Sequence, residues 1–584
     1  MRSVGARLVR IRRVAELLRP YRLRVGAATA AITLATLATL APPYLAGRAI
    51  DDVINGRSTE QLDEIVLAMV GALVLGWLAL YAQTYLIEWV GQHALRDLRT
   101  RLFAHVQTLS ISYFNRHSAG TLISRLTNNV ETLDQLVTDG VSALVTSVVT
   151  IVGAVVVLFV LDLELALVTT GVIPLLAAGT WIYSRRSAPI YTEALHSIAT
   201  VTENLEESLS GARVVRAFAQ EQRHERAFDV VNEQNREVND RALTLIVLYL
   251  PFVQLISIGS IALVAVVGGF QVMDGDQSLG IVVSFIGYLR LALSPLPQIG
   301  TLFTLYQQGS AALDQSFELL AEKPDVIERR GARELSGVRG EVEFEHIDFA
   351  YDPGRQVLSD VSFKVAPGTT VAIVGSTGCG KTTLINLLPR FYDPTRGRVL
   401  VDGNDVREID LSSLRRQIGL VPQEALLFTG SVRSNIAFGA PEASDAEIEE
   451  AARSVGVLDV LQALPDGLAT EVGERGASLS AGQRQLVALA RASLTDPRIV
   501  ILDEATSGVD LGTEARIRDA LDRLLAGRTA LIVAHRLETI RGADLIVALD
   551  AGRIVEQGGH EELVAAGGAY ARLYREWTNT EPAS

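Results

Sequence analysis

Apolar residues gather into six long runs in the first half of the chain, roughly residues 25–50, 65–87, 135–160, 163–183, 243–270 and 279–306. Each is long enough to cross about 30 Å of hydrocarbon at about 1.5 Å per helical residue, so the pattern predicts six membrane-spanning helices. An even number returns the chain to the side from which it started. The connections are uneven: Leu161, Asp162, Leu163 and Glu164 are nearly all that joins the third run to the fourth. About 45 residues separate the second run from the third and about 60 the fourth from the fifth. These two long connections read as helical extensions, with heptad-like spacing in Leu95, Leu98, Leu102, Val106 and Leu109 and again through residues 200–235. Each extension turns once, near residues 113–120 and near residues 208–213.

Charge orients this half. Residues 1–24 carry Arg2, Arg7, Arg10, Arg12, Arg13, Arg19, Arg22 and Arg24 against the single acid Glu16, with Val, Leu and Ile between them. The segment reads as a short amphipathic helix lying on lipid headgroups of the anionic cytoplasmic leaflet. The run after it is too long for the core of a secretory signal. Arginines before that run and Asp51, Asp52, Glu60, Asp63 and Glu64 after it put the N-terminus in the cytoplasm of a multi-pass protein of the cytoplasmic membrane. Inside the spans, Thr29, Thr33, Thr36 and Thr39 fall at helical spacing, and Ser294, Gln298, Thr301, Thr304 and Gln307 make a looser stripe. Two readings stand for the threonines, bonding between helices and the wall of a watery cavity. Two also stand for Arg290, some ten residues into the sixth run: a structural ion pair, or a contact for an anionic substrate.

From Glu322, Lys323 and Pro324 the composition turns polar, and from Glu341 the pattern is that of an α/β domain. The expected organisation is an amphipathic N-terminal helix at 1–24, a six-span membrane domain at 25–322, a linker at 323–339 and a soluble domain at 340–584. The fold class is thus a membrane α-helical domain with long cytoplasmic extensions, followed by an α/β phosphate-loop domain with a helical subdomain.

The soluble half carries the chemistry. Gly375-Ser376-Thr377-Gly378-Cys379-Gly380-Lys381-Thr382 fits G-x-x-x-x-G-K-[ST] at every fixed position. Glycines let successive N–H groups turn inward on a triphosphate, Lys381 reaches the outer phosphates and the Thr382 hydroxyl holds Mg²⁺. The apolar Val371–Val374 before it reads as a buried parallel strand, and the residues from Thr383 onward as a helix whose N-terminus faces the anion. Ile499-Val500-Ile501-Leu502-Asp503-Glu504 is a second such strand, ending in two acids: Asp503 suits Mg²⁺ and Glu504 is a candidate base for the attacking water. Tyr351 stands where a ring could stack on adenine, or is an ordinary surface tyrosine. The net charge of −14 and the lack of a basic stripe in the soluble half argue against nucleic acid as its partner. The single cysteine, Cys379, excludes an intrachain disulfide.

Leu479-Ser480-Ala481-Gly482-Gln483 adds the feature that other phosphate-loop ATPases lack. With Gln423, His535 and Asp510 in matching order, the whole chain resembles an exporter-type ABC (ATP-binding cassette) half-transporter, six spans fused to one nucleotide-binding domain. The resemblance implies that two cassettes sandwich two ATP molecules. Each site combines the phosphate loop, Asp503 and Glu504 of one chain with the signature residues Ser480, Gly482 and Gln483 and the D-loop Asp510 of the other. Gln423 would touch Mg²⁺ and water, His535 would hold the γ-phosphate, and the rest of the loop, through Thr383, would cradle ATP. Closure would draw together the turns near Gly120 and Gly211, which match the family's coupling helices, and open the cavity outward. The expected activity is ATP-driven translocation of a small amphipathic or lipid-like substrate, most simply export. An importer on the same fold and a nucleotide-gated channel without transport turnover are the alternatives.

Two departures bear on the partner. Ala481 replaces the first glycine of the usual signature, and Gly508-Val509 replaces the usual Ala-Leu of the D-loop. A methyl at Ala481 is tolerable where its φ is negative. In heterodimers of the family, the chain that keeps its catalytic acid tends to be the one whose signature drifts. The second half-transporter is therefore expected to be a related chain slightly more than an identical copy.

Overall fold

The computed structural model describes residues 12–13, 16–54, 59–503, 511–534 and 536–580. They form two units: Met1–Gln107 with Ala119–Glu322, and Thr108–Ser118 with Lys323–Ser584.

The first unit is helical. Among the described residues, five helices are long and apolar enough to cross a membrane: Glu16–Ile54, Gln61–Thr108, Ala119–Leu161, Leu163–Ser210 and Glu221–Asp274. The second and fifth continue without a break into the extensions, and the 54 residues of Glu221–Asp274 span about 80 Å. The heptad-like stripe Leu95, Leu98, Leu102, Val106 and Leu109 is buried, as a stripe that packs on neighbouring helices must be. Both turns are themselves helical: short helices Ile111–Arg116 and Ala212–Ala217 stand between the long ones, with Gly211 as the N-cap of the latter.

Where the sequence pattern predicts one sixth span over 279–306, the structure has an apolar helix Leu279–Leu293, a 3₁₀ turn Leu296–Gln298 and a second helix Ile299–Ala321. Pro295 and Pro297 explain the break, because neither supplies the N–H that a continuous helix needs and each ring clashes with the preceding turn. Helix Leu279–Leu293 lies hard against Arg22–Ile54. A Cβ on Gly280 would stand 2.1 Å from the Gly47 carbonyl oxygen, so only glycine permits this approach. Ser284 donates to the Pro43 carbonyl at 3.0 Å, and Asp51 accepts from Ser278 Oγ at 2.7 Å and from the Gly280 N–H at 2.8 Å.

The threonine stripe does not donate from helix to helix. Thr29, Thr33, Thr36 and Thr39 donate to carbonyls of their own helix three or four residues back, which satisfies each hydroxyl without a neighbour. Arg13 and Arg24 of the N-terminal segment meet protein: Arg13 pairs with Asp314 at 3.3 Å, and Arg24 lies 3.3 Å over the Trp89 ring. Arg290 is exposed, and among the described residues its guanidinium has no acid or other partner.

The second unit is built on two large sheets. Strands β1 Val342–Ala350, β2 Gln356–Val365, β4 Arg396–Val401 and β5 Asn404–Asp405 make a four-stranded sheet in the order β2-β1-β4-β5. The second sheet is ordered β12-β11-β3-β10-β9-β6 and comprises β3 Thr370–Gly375, β6 Ile418–Val421, β9 Ile499–Asp503, β10 Thr529–Val533, β11 Leu545–Asp550 and β12 Arg553–Gly558. Two short strands, β7 Gly430–Ser431 and β8 Glu471–Val472, pair separately. The second sheet is parallel except at its β12 edge and is buried on both faces. Ala372, Val374, Val500, Leu502, Ala530 and Ile532 pack towards the helical subdomain, while Val371, Ile373, Ile499, Ile501, Leu531 and Val533 pack towards the antiparallel sheet. Burial on both faces is why these strands read as unbroken apolar runs rather than as alternations.

Residues 323–339 are irregular but docked on this unit. Arg333 bridges to Ile409, Leu335 N–H donates to Ser413 Oγ at 3.1 Å, and Arg390 donates to the Ile327 carbonyl at 3.2 Å.

Candidate active site

The register of the parallel sheet brings the ends of four strands to one edge. Val533 of β10 lies opposite both Ile373 of β3 and Asp503 of β9, and Val421 of β6 lies opposite Leu502. The phosphate loop, Gln423, Asp503 and Ala534 therefore all leave the sheet at its carboxyl edge, the position at which open α/β sheets bind ligands.

The loop between β3 and helix Lys381–Leu387 needs its glycines. Gly375 has φ +151° and Gly380 φ +106°, and a Cβ on Gly375 would stand 2.2 Å from the Leu549 carbonyl oxygen. Ser376, Thr377 and Gly378 are exposed, whereas Cys379, Gly380 and Lys381 are buried. The Lys381 ammonium donates to the carbonyls of Gly375 at 2.8 Å and Ser376 at 3.0 Å, so it is held within the loop that it would share with a phosphate. Thr382 Oγ1 donates to Asp503 Oδ1 at 3.4 Å, which unites the two residues predicted to hold Mg²⁺. A hydroxyl, a carboxylate and, two residues beyond β6, the Gln423 amide are all-oxygen, hard donors suited to that ion. The Cys379 side chain packs into the core. Burial pushes its thiol above the ordinary value, against the opposing pull of Lys381.

Tyr351 is less ordinary than its sequence suggests. Its hydroxyl hydrogen-bonds Thr383 Oγ1 at 2.9 Å, and its ring meets Phe349 and Tyr392 edge-on at 4.9 and 5.2 Å. The partly exposed ring is thereby fixed beside the first turn of the phosphate-loop helix.

Ser480 caps helix Ala481–Leu494 with a complete capping box: its hydroxyl accepts from the Gln483 N–H at 3.2 Å, and Gln483 Oε1 accepts from the Ser480 N–H at 2.9 Å. Ala481 is the first helical residue and is not among those with positive φ, so its methyl strains no backbone. Gly482 is buried. Glu504, Asp510 and His535 lie outside the described residues, as do Gly508 and Val509.

Sequence reasoning missed three participants. Arg536, next to His535, pairs with Glu514 of helix Leu511–Leu525 and so ties the end of β10 to that helix. Tyr392, 7% exposed, accepts at 2.8 Å from Asn115 Nδ2 of the short helix Ile111–Arg116, so that one ring joins Tyr351 to Asn115. The aromatic pair Phe391-Tyr392 was the available signal for the second and third, but nothing local pointed to residues so distant in the chain.

The ABC transporter transmembrane region matches residues 25–296, and the ABC transporter domain matches residues 358–507. The ATP-dependent lipid A-core flippase of Syntrophus aciditrophicus is 37% identical, covering 97% of this chain and 94% of its own. The chain belongs to the ABC transporter family. It is similar also to the fatty acid ABC transporter ATP-binding/permease protein of Mycobacterium bovis, with 40% identity over 88% of this chain and 81% of that one. Among solved structures it resembles a bacterial Atm1-family ABC exporter with ATP bound. The TM-score is 0.81 and the identity 30%, with 96% of this chain and 99% of the other covered. This ABC transporter is an exporter-type half-transporter, a membrane protein whose cassette binds ATP and hydrolyses it in step with transport.

Proposed function

We propose that the chain exports a small amphipathic or lipid-like molecule across the cytoplasmic membrane by alternating access, as one half of a dimer with two composite ATP sites. The observation that carries the reading is the Thr382–Asp503 pair beside the Lys381 loop, in one chain with five long apolar helices and a broken sixth. Lys381 and the loop N–H groups bind the phosphates, and Tyr351 offers its ring to adenine. Mg²⁺, held by Thr382, Asp503 and Gln423, would neutralise phosphate charge. Glu504 serves as the base for water, with His535 on the γ-phosphate. The opposite chain supplies Ser480, Gly482 and Gln483 at its helix N-terminus, and the D-loop Asp510. The names of the lipid A-core flippase and the fatty acid transporter support the amphipathic class. The N-terminus and cassette lie in the cytoplasm, as the arginine excess of residues 1–24 argues.

Of the clues favouring a non-identical partner, Ala481 loses weight, since it sits in regular helix behind an intact cap. Purification of the chain alone tests what is left: low ATPase activity, restored by co-expression with a related half-transporter, supports a heterodimer. A stable dimer with two working sites overturns it. The functional reading itself is tested by an ATPase screen of the purified dimer against lipids and amphiphiles. Saturable stimulation supports it, and turnover indifferent to every compound of that class counts against it.

A further inference from the structure

Strands β9 and β10 run side by side, with Asp503 opposite Val533, and leave the carboxyl edge of the sheet together. Each chain segment then turns back into a helix: β9 leads to Leu511–Leu525, and β10, after Ala534, His535 and Arg536, to Leu537–Arg541. Glu504 and His535, the proposed base and γ-phosphate ligand, stand between strand and helix in the two segments. Both lie outside the described residues, but the strands and helices that flank them are described.

Two ion pairs cross from one helix to the other segment. Glu514, in the first turn of Leu511–Leu525, accepts from Arg536, and its side chain is only 14% exposed. One turn on, Arg518 stands 3.6 Å from the same Glu514 oxygen and reaches Glu538 at 2.5 Å, but both of these side chains are at least half exposed. The inner pair has the more favourable setting. A carboxylate is stabilised at a helix N-terminus, and a shielded pair escapes much of the screening that weakens an exposed one.

Apolar packing does not span this gap. A cavity of about 520 Å³ opens between the two helices, over Leu502 of β9 and Ile532 of β10, and Glu514, Arg518, Arg536 and Glu538 all border it. Across a void the dispersion contacts of a packed core are missing, so the polar bridge is left to set the spacing.

We propose that Glu514 is a positioning residue for ATP hydrolysis: by holding Arg536 it fixes the start of helix Leu511–Leu525 against the end of β10, and so sets Glu504 and His535 relative to each other. Each of the two segments is then tied at both ends, by the β9–β10 register on one side and by the Glu514–Arg536 pair on the other. The proposal rests on the reading of Glu504 as the base and His535 as the γ-phosphate ligand. Misplacing a reacting group by about 1 Å can cost about a hundredfold in rate. Loosening the bridge should therefore cost turnover and spare ATP affinity, which the Lys381 loop supplies from β3.

The test is steady-state ATPase activity of the purified dimer in lipid nanodiscs, with kcat taken per nucleotide site titrated by a fluorescent ATP analogue, so that unfolded protein does not count. Glu514→Gln should lower kcat about tenfold and leave the KM for ATP within about twofold. Arg536→Gln should do the same, and the double variant should be no worse than either single one, since all three remove one bond. Glu514→Asp, which keeps the charge, should stay within about threefold of wild type, and Glu538→Gln, at the exposed pair, within about twofold. Should Glu514→Gln fail to fold, Arg536→Gln carries the test from the other end of the bond. An unchanged kcat, a KM that rises as kcat falls, an aspartate variant no better than the glutamine one, additive losses in the double variant, or an equal loss in Glu538→Gln would each overturn the proposal. Absence of turnover in the unaltered protein, or a Glu504→Gln variant as active as wild type, would instead overturn the reading beneath it.

Discussion

Tyr392→Phe should weaken communication between substrate and ATP while sparing ATP binding. The Asn115 Nδ2 to Tyr392 hydroxyl bond, 2.8 Å long, ends on a side chain only 7% exposed. A partly buried neutral hydrogen bond contributes about 0.5–1.5 kcal/mol, a factor of about two to twelve in the fraction of docked helix. The neighbouring Arg116–Asp325 pair, at 3.5 Å and more than half exposed on both sides, contributes little by comparison. Phenylalanine keeps the ring contact with Tyr351, so the nucleotide side is left in place. The assay is ATPase activity with and without a stimulating substrate, on wild type, Tyr392→Phe, Asn115→Ala and the double variant. The stimulated-to-basal ratio should fall about two- to tenfold in each single variant, and the double should be no worse than the singles, since both remove one bond. The KM for ATP should stay within about twofold. Additive losses in the double variant, or an unchanged ratio in both singles, would refute the reasoning.

Cys379 should react with bulky thiol reagents far more slowly than an exposed thiol, because it is buried and its pKa is raised; the rate should climb with pH above the ordinary thiol range, and rapid labelling at neutral pH would contradict the burial. The sign for stability follows: the neutral thiol is favoured in the fold, so its contribution is complete below the unfolded pKa and is lost as pH rises through the raised folded value, a loss that Cys379→Ala should abolish in a comparison of melting temperatures against pH. Ser480→Ala removes the hydroxyl of the capping box, at a cost of about 0.5–2 kcal/mol of cassette stability, and should lower ATPase activity at least tenfold; unaltered turnover would take Ser480 out of the γ-phosphate contact. Arg290→Ala should leave expression and melting temperature unchanged, since its side chain meets no partner among the described residues; marked destabilisation would reveal a pairing elsewhere.

The pattern of the chain made the cassette more legible than the membrane half, for physical reasons. Strands such as Val371–Val374 and Ile499–Leu502 are buried on both faces, so their identity and their charged ends were local properties of the sequence. The link from Thr382 to Asp503 follows from strand order, which the phosphate-loop pattern already implies. Hydropathy makes the sixth span look continuous because it averages over Pro295 and Pro297, each of which removes a backbone donor without lowering the apolar count much. The threonine stripe misled because a hydroxyl can bond its own helix, and periodicity does not distinguish that from bonding a neighbour. The docking of Asn115 on Tyr392 joins residues 277 positions apart and had no local signature. Neither did the bridge from Arg536 to Glu514.

ATP-dependent uptake of a stimulating amphiphile into inside-out vesicles tests the central claim most directly. The account predicts accumulation with ATP and Mg²⁺, none with a non-hydrolysable analogue, and none in vesicles carrying Glu504→Gln, which should still bind ATP and hold the cassettes closed. Accumulation that is indifferent to ATP, ATP-driven loss from preloaded vesicles, or Glu504→Gln uptake within about threefold of wild type would contradict it.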